Sequence, residues 1–173
     1  MTEVTTAKTT IATPLDSSVS ARILEEGYGP GAWHGADLRA ALADVTAQNA
    51  FWRPGAGRHN IAEIALHHAW CVRSVTAQLT GIAGEPFPLE GEDWFDAANE
   101  RRIAWSEIAA AVESQQNRLA SVVAEIGNGR LESPMAEPDR FDLVLGVTCH
   151  AIYHAGQIQL LKVLGAAAGR RAL

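Results

Sequence analysis

Four segments of this 173-residue chain repeat their apolar residues at helical spacing, and none alternates with the period of two that marks a strand between hairpin turns. A helix with an apolar stripe must bury it against another element. With no strand to build a sheet, the helices have only each other. Four long helices joined by long loops predict an all-α fold, an antiparallel four-helix bundle.

The first helix is expected to start in "LDSSVSARILEEGY", with Asp16 or Ser17 as cap and Gly27 near its end. A turn-rich connection, "GPGAWHG" (29–35), leads to a short helix in "ADLRAALADV". Past the "RPGAGR" break (53–58), Asn60 can cap "IAEIALHHAWCVRSVTAQLTG", a long helix that Gly81 closes. The third long helix is expected over about 98–126 and the fourth from about Phe141 to Leu164. Between the second and third long helices lies "GIAGEPFPLEGEDWFDA", long enough to be a functional loop. Residues 1–14 are expected to be flexible, 15–165 to form the bundle and 166–173 to fray.

An apolar content of 47% suffices for one core, and the formal net charge of −6, with no basic run, excludes a nucleic-acid binder. No apolar stretch approaches a membrane span, and the early Glu3 with no apolar run after it is unlike a secretory signal. Two cysteines are too few for a disulfide framework and suggest a reducing compartment. The expectation is a cytoplasmic single-domain protein with neither nucleic acid nor membrane as partner.

The last long helix carries the most informative residues. In "CHAIYHAGQIQLLK" (149–162), His150 and His154 stand four residues apart, so both imidazoles lie on one stripe with Gln157 and Leu161. Two imidazoles at this spacing can hold one divalent cation, their neutral nitrogens suiting zinc, nickel or iron. A further imidazole comes from "AEIALHHAW", where His67 and His68 sit mid-helix. Three histidines from two packed helices make an open site with room for water or substrate. Periodicity points His68 more directly into the core, while His67, at the edge of the stripe, has the better access to solvent. On the residues alone, both stay candidates.

The two segments "NIAEIALHHAW" and "HAIYHAGQIQLLK" resemble the DinB/YfiT-like superfamily of metal-binding four-helix bundles. Its H-x-x-x-H-x-G-Q-I element is matched in full by His150, His154, Gly156, Gln157 and Ile158, and its earlier element falls on Asn60, Ile61, Glu63 and His67. "AWHGADL" (32–38) and "GEDWF" (91–95) are similar to one branch of the family, so the likeness spans about 15–165.

The resemblance implies one divalent metal per chain, zinc or nickel foremost and iron or manganese as further options, held by His67, His150 and His154 plus water. It also implies thiol-S-transferase chemistry with a low-molecular-weight thiol such as bacillithiol or mycothiol and a small-molecule substrate. A metal-dependent hydrolase is the other enzymatic reading. The alternative is a non-catalytic metal-containing binding or stress-response protein. Bundles of this kind often pair through an exposed face, so a homodimer is expected.

Among the remaining residues, Gln157 could orient a ligand or pack between helices, and Gly156 could let a neighbouring helix approach. Glu63, one turn before His67, could accept an imidazole N–H or act as a general base. Cys71 could supply a fourth ligand, although free cysteine is usually buried packing, and Cys149 is expected in the core. His34 either reaches the site or caps a helix, and His59 is expected on the surface. Trp33, Trp70, Trp94 and Trp105 are expected in the core or a pocket wall, with Trp94 lining a substrate cleft.

Overall fold

The computed structural model describes residues 17–99 and 101–171, and every regular element among them is an α-helix. In chain order these are α1 (Ser17–Tyr28), α2 (Leu38–Leu42), α3 (Ala47–Phe51), α4 (Ile61–Thr80), α5 (Trp105–Gly127) and α6 (Glu137–Arg171). The N-terminal segment 1–14, a cap at Asp16 and the last two residues of the tail lie outside the described residues.

Helix α4 begins and ends where local chemistry says it must. The Asn60 side chain accepts from the Glu63 amide at 2.8 Å, and the Glu63 carboxylate accepts in return from the Asn60 amide. At the other end Gly81 takes φ 69°, the left-handed conformation that closes a helix and that a side chain would disfavour. Asn60 is fully buried, and its Nδ2 donates to the Ala97 carbonyl at 2.9 Å. The cap of α4 therefore also anchors the far end of the long loop after that helix.

Other boundaries differ from expectation for local reasons. Helix α5 starts at Trp105 rather than near 98, because Asn99 accepts from the Arg101 amide at 3.0 Å and holds that stretch in a turn. The helix opens only where the Glu107 carboxylate accepts from the Ala104 amide at 2.9 Å. Helix α2 is shorter than expected, starting after Asp37, whose carboxylate accepts from the Ala40 amide. The single-turn α3 was not expected at all; Thr46 caps it through the Asn49 amide. Helix α6 starts four residues before Phe141, with Pro138 in its first turn, where the missing N–H costs nothing. It runs on as helix through Arg171, past the expected end at Leu164, over three alanines of high helix propensity.

The four long helices pack in a ring, with α4 against α5 and α6 and α1 against the same two helices. Helix α1 lies close against α6 at Gly27, where a Cβ would stand 3.1 Å from the Ala151 side chain. Two apolar clusters fill the interior. One joins Leu38, Ile61, Leu66, Ile108 and Ile158, the other Val72, Leu79, Leu119, Val123 and Val147. Each such side chain contributes roughly 1.5–3 kcal/mol on burial. No helix among the described residues is long and apolar enough to cross a membrane.

Candidate metal centre

Helices α4 and α6 run side by side, and three imidazoles meet between them. His150 Nε2 lies 3.1 Å from His67 Nε2 and 2.9 Å from His154 Nε2. Their ligand atoms all fall within 4.8 Å of one another. At imidazole–zinc bond lengths of ~2.0–2.1 Å, tetrahedral ligands stand about 3.3 Å apart and adjacent octahedral ones about 2.9 Å. The spacing fits a shared cation.

The outer nitrogens explain why the inner ones are free. His67 Nδ1–H donates to the Asp93 carbonyl at 2.9 Å, with the Asp93 carboxylate at 3.0 Å. His154 Nδ1–H donates to Gln157 Oε1 at 2.6 Å, and the Gln157 amide donates in turn to the Tyr153 hydroxyl at 3.1 Å. A proton on each Nδ1 leaves both Nε2 lone pairs pointing at His150 Nε2, which can donate one proton to one of them at most. A cation satisfies all three lone pairs at once, so the donor set fits a divalent metal.

Burial keeps the two rings of α6 neutral. It lowers the His154 pKa to about 4, against the opposing Gln157 hydrogen bond and with smaller contributions from the neighbouring imidazoles. Burial, then the charge of His67, also lowers His150, with Asp93 acting the other way. Both are therefore unprotonated at neutral pH, the state a metal requires.

His68 takes no part in this convergence. It is fully buried, its Nε2 meets the Gln116 side-chain amide on α5, and its Nδ1 has no partner. Burial holds its pKa well below the ordinary value. Periodicity placed His68 in the core, and it is there. That placement points it toward α5 instead of α6.

The long loop contributes more than its sequence disclosed. Trp94 lies between two imidazoles, stacked on His67 with centroids 4.1 Å apart and on His59 at 3.8 Å. Asp93 has φ 62°, the only positive φ at a non-glycine position among the described residues. That strained turn aims its carbonyl at His67. Beside Trp94 is a cavity of about 250 Å³, lined by Arg53, Arg58, His59, Glu63 and Phe95 among others.

Several expected roles change. Glu63 accepts from His59 at 3.1 Å and from Arg53 through both guanidinium nitrogens, so the imidazole it meets is not that of His67. Burial alone would raise its pKa; the Arg53 and His59 hydrogen bonds and the Arg53 charge outweigh it and leave the carboxyl low. A carboxylate committed in this way is poorly placed as a general base.

Cys71 Sγ lies 3.8 Å from His67 Nε2, grouped with His67 and Asp93 rather than with all three histidines, and burial raises its thiol to about 11. Cys149 is exposed, not core, because it lies on the outer side of α6. Gly156 is exposed too, and a Cβ there would meet nothing within 4 Å, so no helix of this chain approaches it. His34 caps α1, its Nε2 2.8 Å from the Glu26 carbonyl. Trp33 is 92% exposed and belongs to no core or pocket wall. Arg53 and Asp93 were missed, being separated in sequence from the helix they serve; His59 is exposed as expected, and its ring also stacks on Trp94 and meets Glu63.

An all-helical protein with a three-histidine cluster between two long helices is the class that fold and site define. The chain belongs to the DinB superfamily, whose family model matches residues 32–158. No curated protein and no solved structure matches it.

Proposed function

We propose that this protein is a divalent-metal-dependent enzyme of the thiol-S-transferase type, with His67, His150 and His154 as ligands in an antiparallel four-helix bundle. The observation that carries the reading is the convergence of three Nε2 atoms with two of the outer nitrogens already engaged by Asp93 and Gln157. When bound, the cation lowers the pKa of a thiol that reaches it, supplying thiolate at neutral pH. Zinc and nickel suit an all-imidazole set best.

The chain's own residues perform the remaining work. Asp93 and Gln157 fix the two imidazole tautomers and ring orientations. Trp94 covers one face of His67 and forms a wall shared with the neighbouring cavity, which is large enough for a small electrophilic substrate. Arg53 and Glu63 hold His59 against that wall.

The second reading is a metal-containing binding protein without turnover; Cys71 Sγ, 3.8 Å from His67 Nε2, would close the coordination sphere only by moving nearer to His150 and His154. Metal content by elemental mass spectrometry decides whether the centre exists. Untagged wild type should carry near one metal per chain, lost in His67→Ala and His154→Ala and kept in His68→Ala. A wild type that cannot be loaded with zinc or nickel overturns both readings. Thiol-conjugation assays on the loaded protein then separate enzyme from binder.

A further inference from the structure

The cavity beside Trp94 has a volume of about 250 Å³, enough for a small organic molecule, and its wall carries two arginines, a histidine and two carboxylates. Most of these groups are already paired. Glu63 is buried and accepts from Arg53 through both guanidinium nitrogens and from His59 at 3.1 Å. Asp96 pairs with Arg102 at 3.1 Å and has Arg53 4.0 Å away. Of the charged groups on the wall, Arg58 alone has no ion pair and no side-chain hydrogen bond among the described residues.

The backbone that carries Arg58 is nevertheless fixed. Its amide donates to the Gly55 carbonyl at 3.3 Å, and its own carbonyl accepts from Arg53 Nη1 at 2.6 Å. Two residues later Asn60 caps α4. The turn over 55–58 is therefore held by the same Arg53 that neutralises Glu63. It presents one uncompensated guanidinium at a cavity whose wall includes Trp94 and Phe95. A guanidinium fork takes a carboxylate through two hydrogen bonds, and aromatic walls take a planar apolar body. The nearby carboxylates of Glu63 and Asp96 choose among anions, repelling a doubly charged phosphate more than a singly charged carboxylate.

We infer that this cavity is an anchoring subsite for a small organic acid, with Arg58 binding the carboxylate and Trp94 and Phe95 flanking the body. Its position says which reactant the acid is. Trp94 separates the cavity from the three-histidine cluster, its ring centroid 3.8 Å from that of His59 and 4.1 Å from that of His67 on the other face. The indole is 38% exposed, so its edge is open to a bound molecule. An acid anchored at Arg58 and extended over that edge brings its far end to the cluster and leaves room there for a thiol. The anchored acid is the electrophilic substrate, and in this assignment the subsite rests on the thiol-transfer reading above.

Calorimetric titration of the metal-free protein with benzoate tests the subsite apart from the metal. Wild type should bind one benzoate per chain, and benzamide, its uncharged analogue, should bind at least ~10-fold more weakly. Arg58→Gln should lose benzoate affinity by a similar factor with unchanged helicity by circular dichroism, since position 58 is exposed. Arg58→Lys, which keeps the charge without the fork, should fall between. Loading wild type with zinc should leave the benzoate affinity unchanged.

No binding to wild type, equal affinity for benzamide, or full affinity in Arg58→Gln overturns the proposal. Benzoate that binds only after zinc is added is a ligand of the cation, and that result overturns it too. A protein that takes up no metal yet binds benzoate through Arg58 fails the thiol-transfer reading and keeps the subsite as a binding site, so the two failures are told apart.

Discussion

The indole of Trp94 lies flat on the imidazole of His67, the two planes inclined by only 5°. Trp94 comes from the loop after α4 and His67 from the middle of α4, so the stack fastens the loop over the candidate metal centre. On its other face the same indole stacks on His59, at 15°. Trp94→Ala removes a ring from the centre of this sandwich and should cost about 1–2 kcal/mol of stability. Trp94→Phe should cost less, because an aromatic ring remains. Urea denaturation of the metal-free proteins reads the difference, and equal losses in the two variants would show that stacking contributes nothing.

Gln157 is hydrogen-bonded to His154, one of the three proposed ligands. Its Oε1 accepts the Nδ1 proton, which fixes the tautomer and leaves Nε2 as the donor. Gln157→Leu should weaken zinc binding by about 10–100-fold with the fold intact. Gln157→Glu keeps an acceptor and should bind nearly as well as wild type. Competition with a chromogenic chelator measures both. If Gln157→Leu bound zinc like wild type, the amide would be packing only.

Asp93 combines a left-handed backbone with two acceptors near His67 Nδ1, its carbonyl and its carboxylate. Asparagine tolerates the left-handed region well. Asp93→Asn should therefore fold normally and lose zinc affinity only modestly, because the carbonyl still accepts. Asp93→Ala should be less stable by about 1 kcal/mol, since alanine has no side chain to offset that conformation. Thermal denaturation of the pair, with zinc titration alongside, separates the backbone contribution from that of the carboxylate.

Glu63 is a source of acid sensitivity. Its carboxyl is held low in the folded protein, so near and below the ordinary value of about 4.3 the unfolded chain binds more protons than the native one. The stability Glu63 contributes is complete above that range and is lost as pH falls through the lowered value. Glu63→Gln should be less stable at neutral pH, by about 1–2 kcal/mol from the weakened Arg53 and His59 contacts. It should also show a flatter decline in acid. Parallel stability curves of the two proteins between neutral pH and strong acid would disprove this assignment.

Much of the helical skeleton is legible in the sequence because its signals are local. Asn60 with Glu63 three residues on, Gly81 after the last turn, and the 3.6-residue stripes are properties of neighbouring residues, and α4 follows them at both ends. The pairing of His150 with His154 on one stripe of α6 is equally local. Where the local signal was subtler, as with the Asn99 turn that delays α5 or the single turn of α3 held by Thr46, the boundary moved.

Which of His67 and His68 meets His150 is decided by tertiary structure. Adjacent residues on a helix point about 100° apart, and which of them faces α6 depends on how α4 is rotated against two neighbours. Packing turned His68 toward Gln116 on α5 and His67 toward His150. Asp93 and Arg53 joined the site in the same way, brought there by loops whose closure no short-range pattern encodes. Sequence by itself determined the four long helices, the family and the paired histidines of α6. The third imidazole, its hydrogen-bond partner and the indole that covers it were settled only by the packing of α4, α6 and the loop between α4 and α5, because those contacts join residues far apart along the chain.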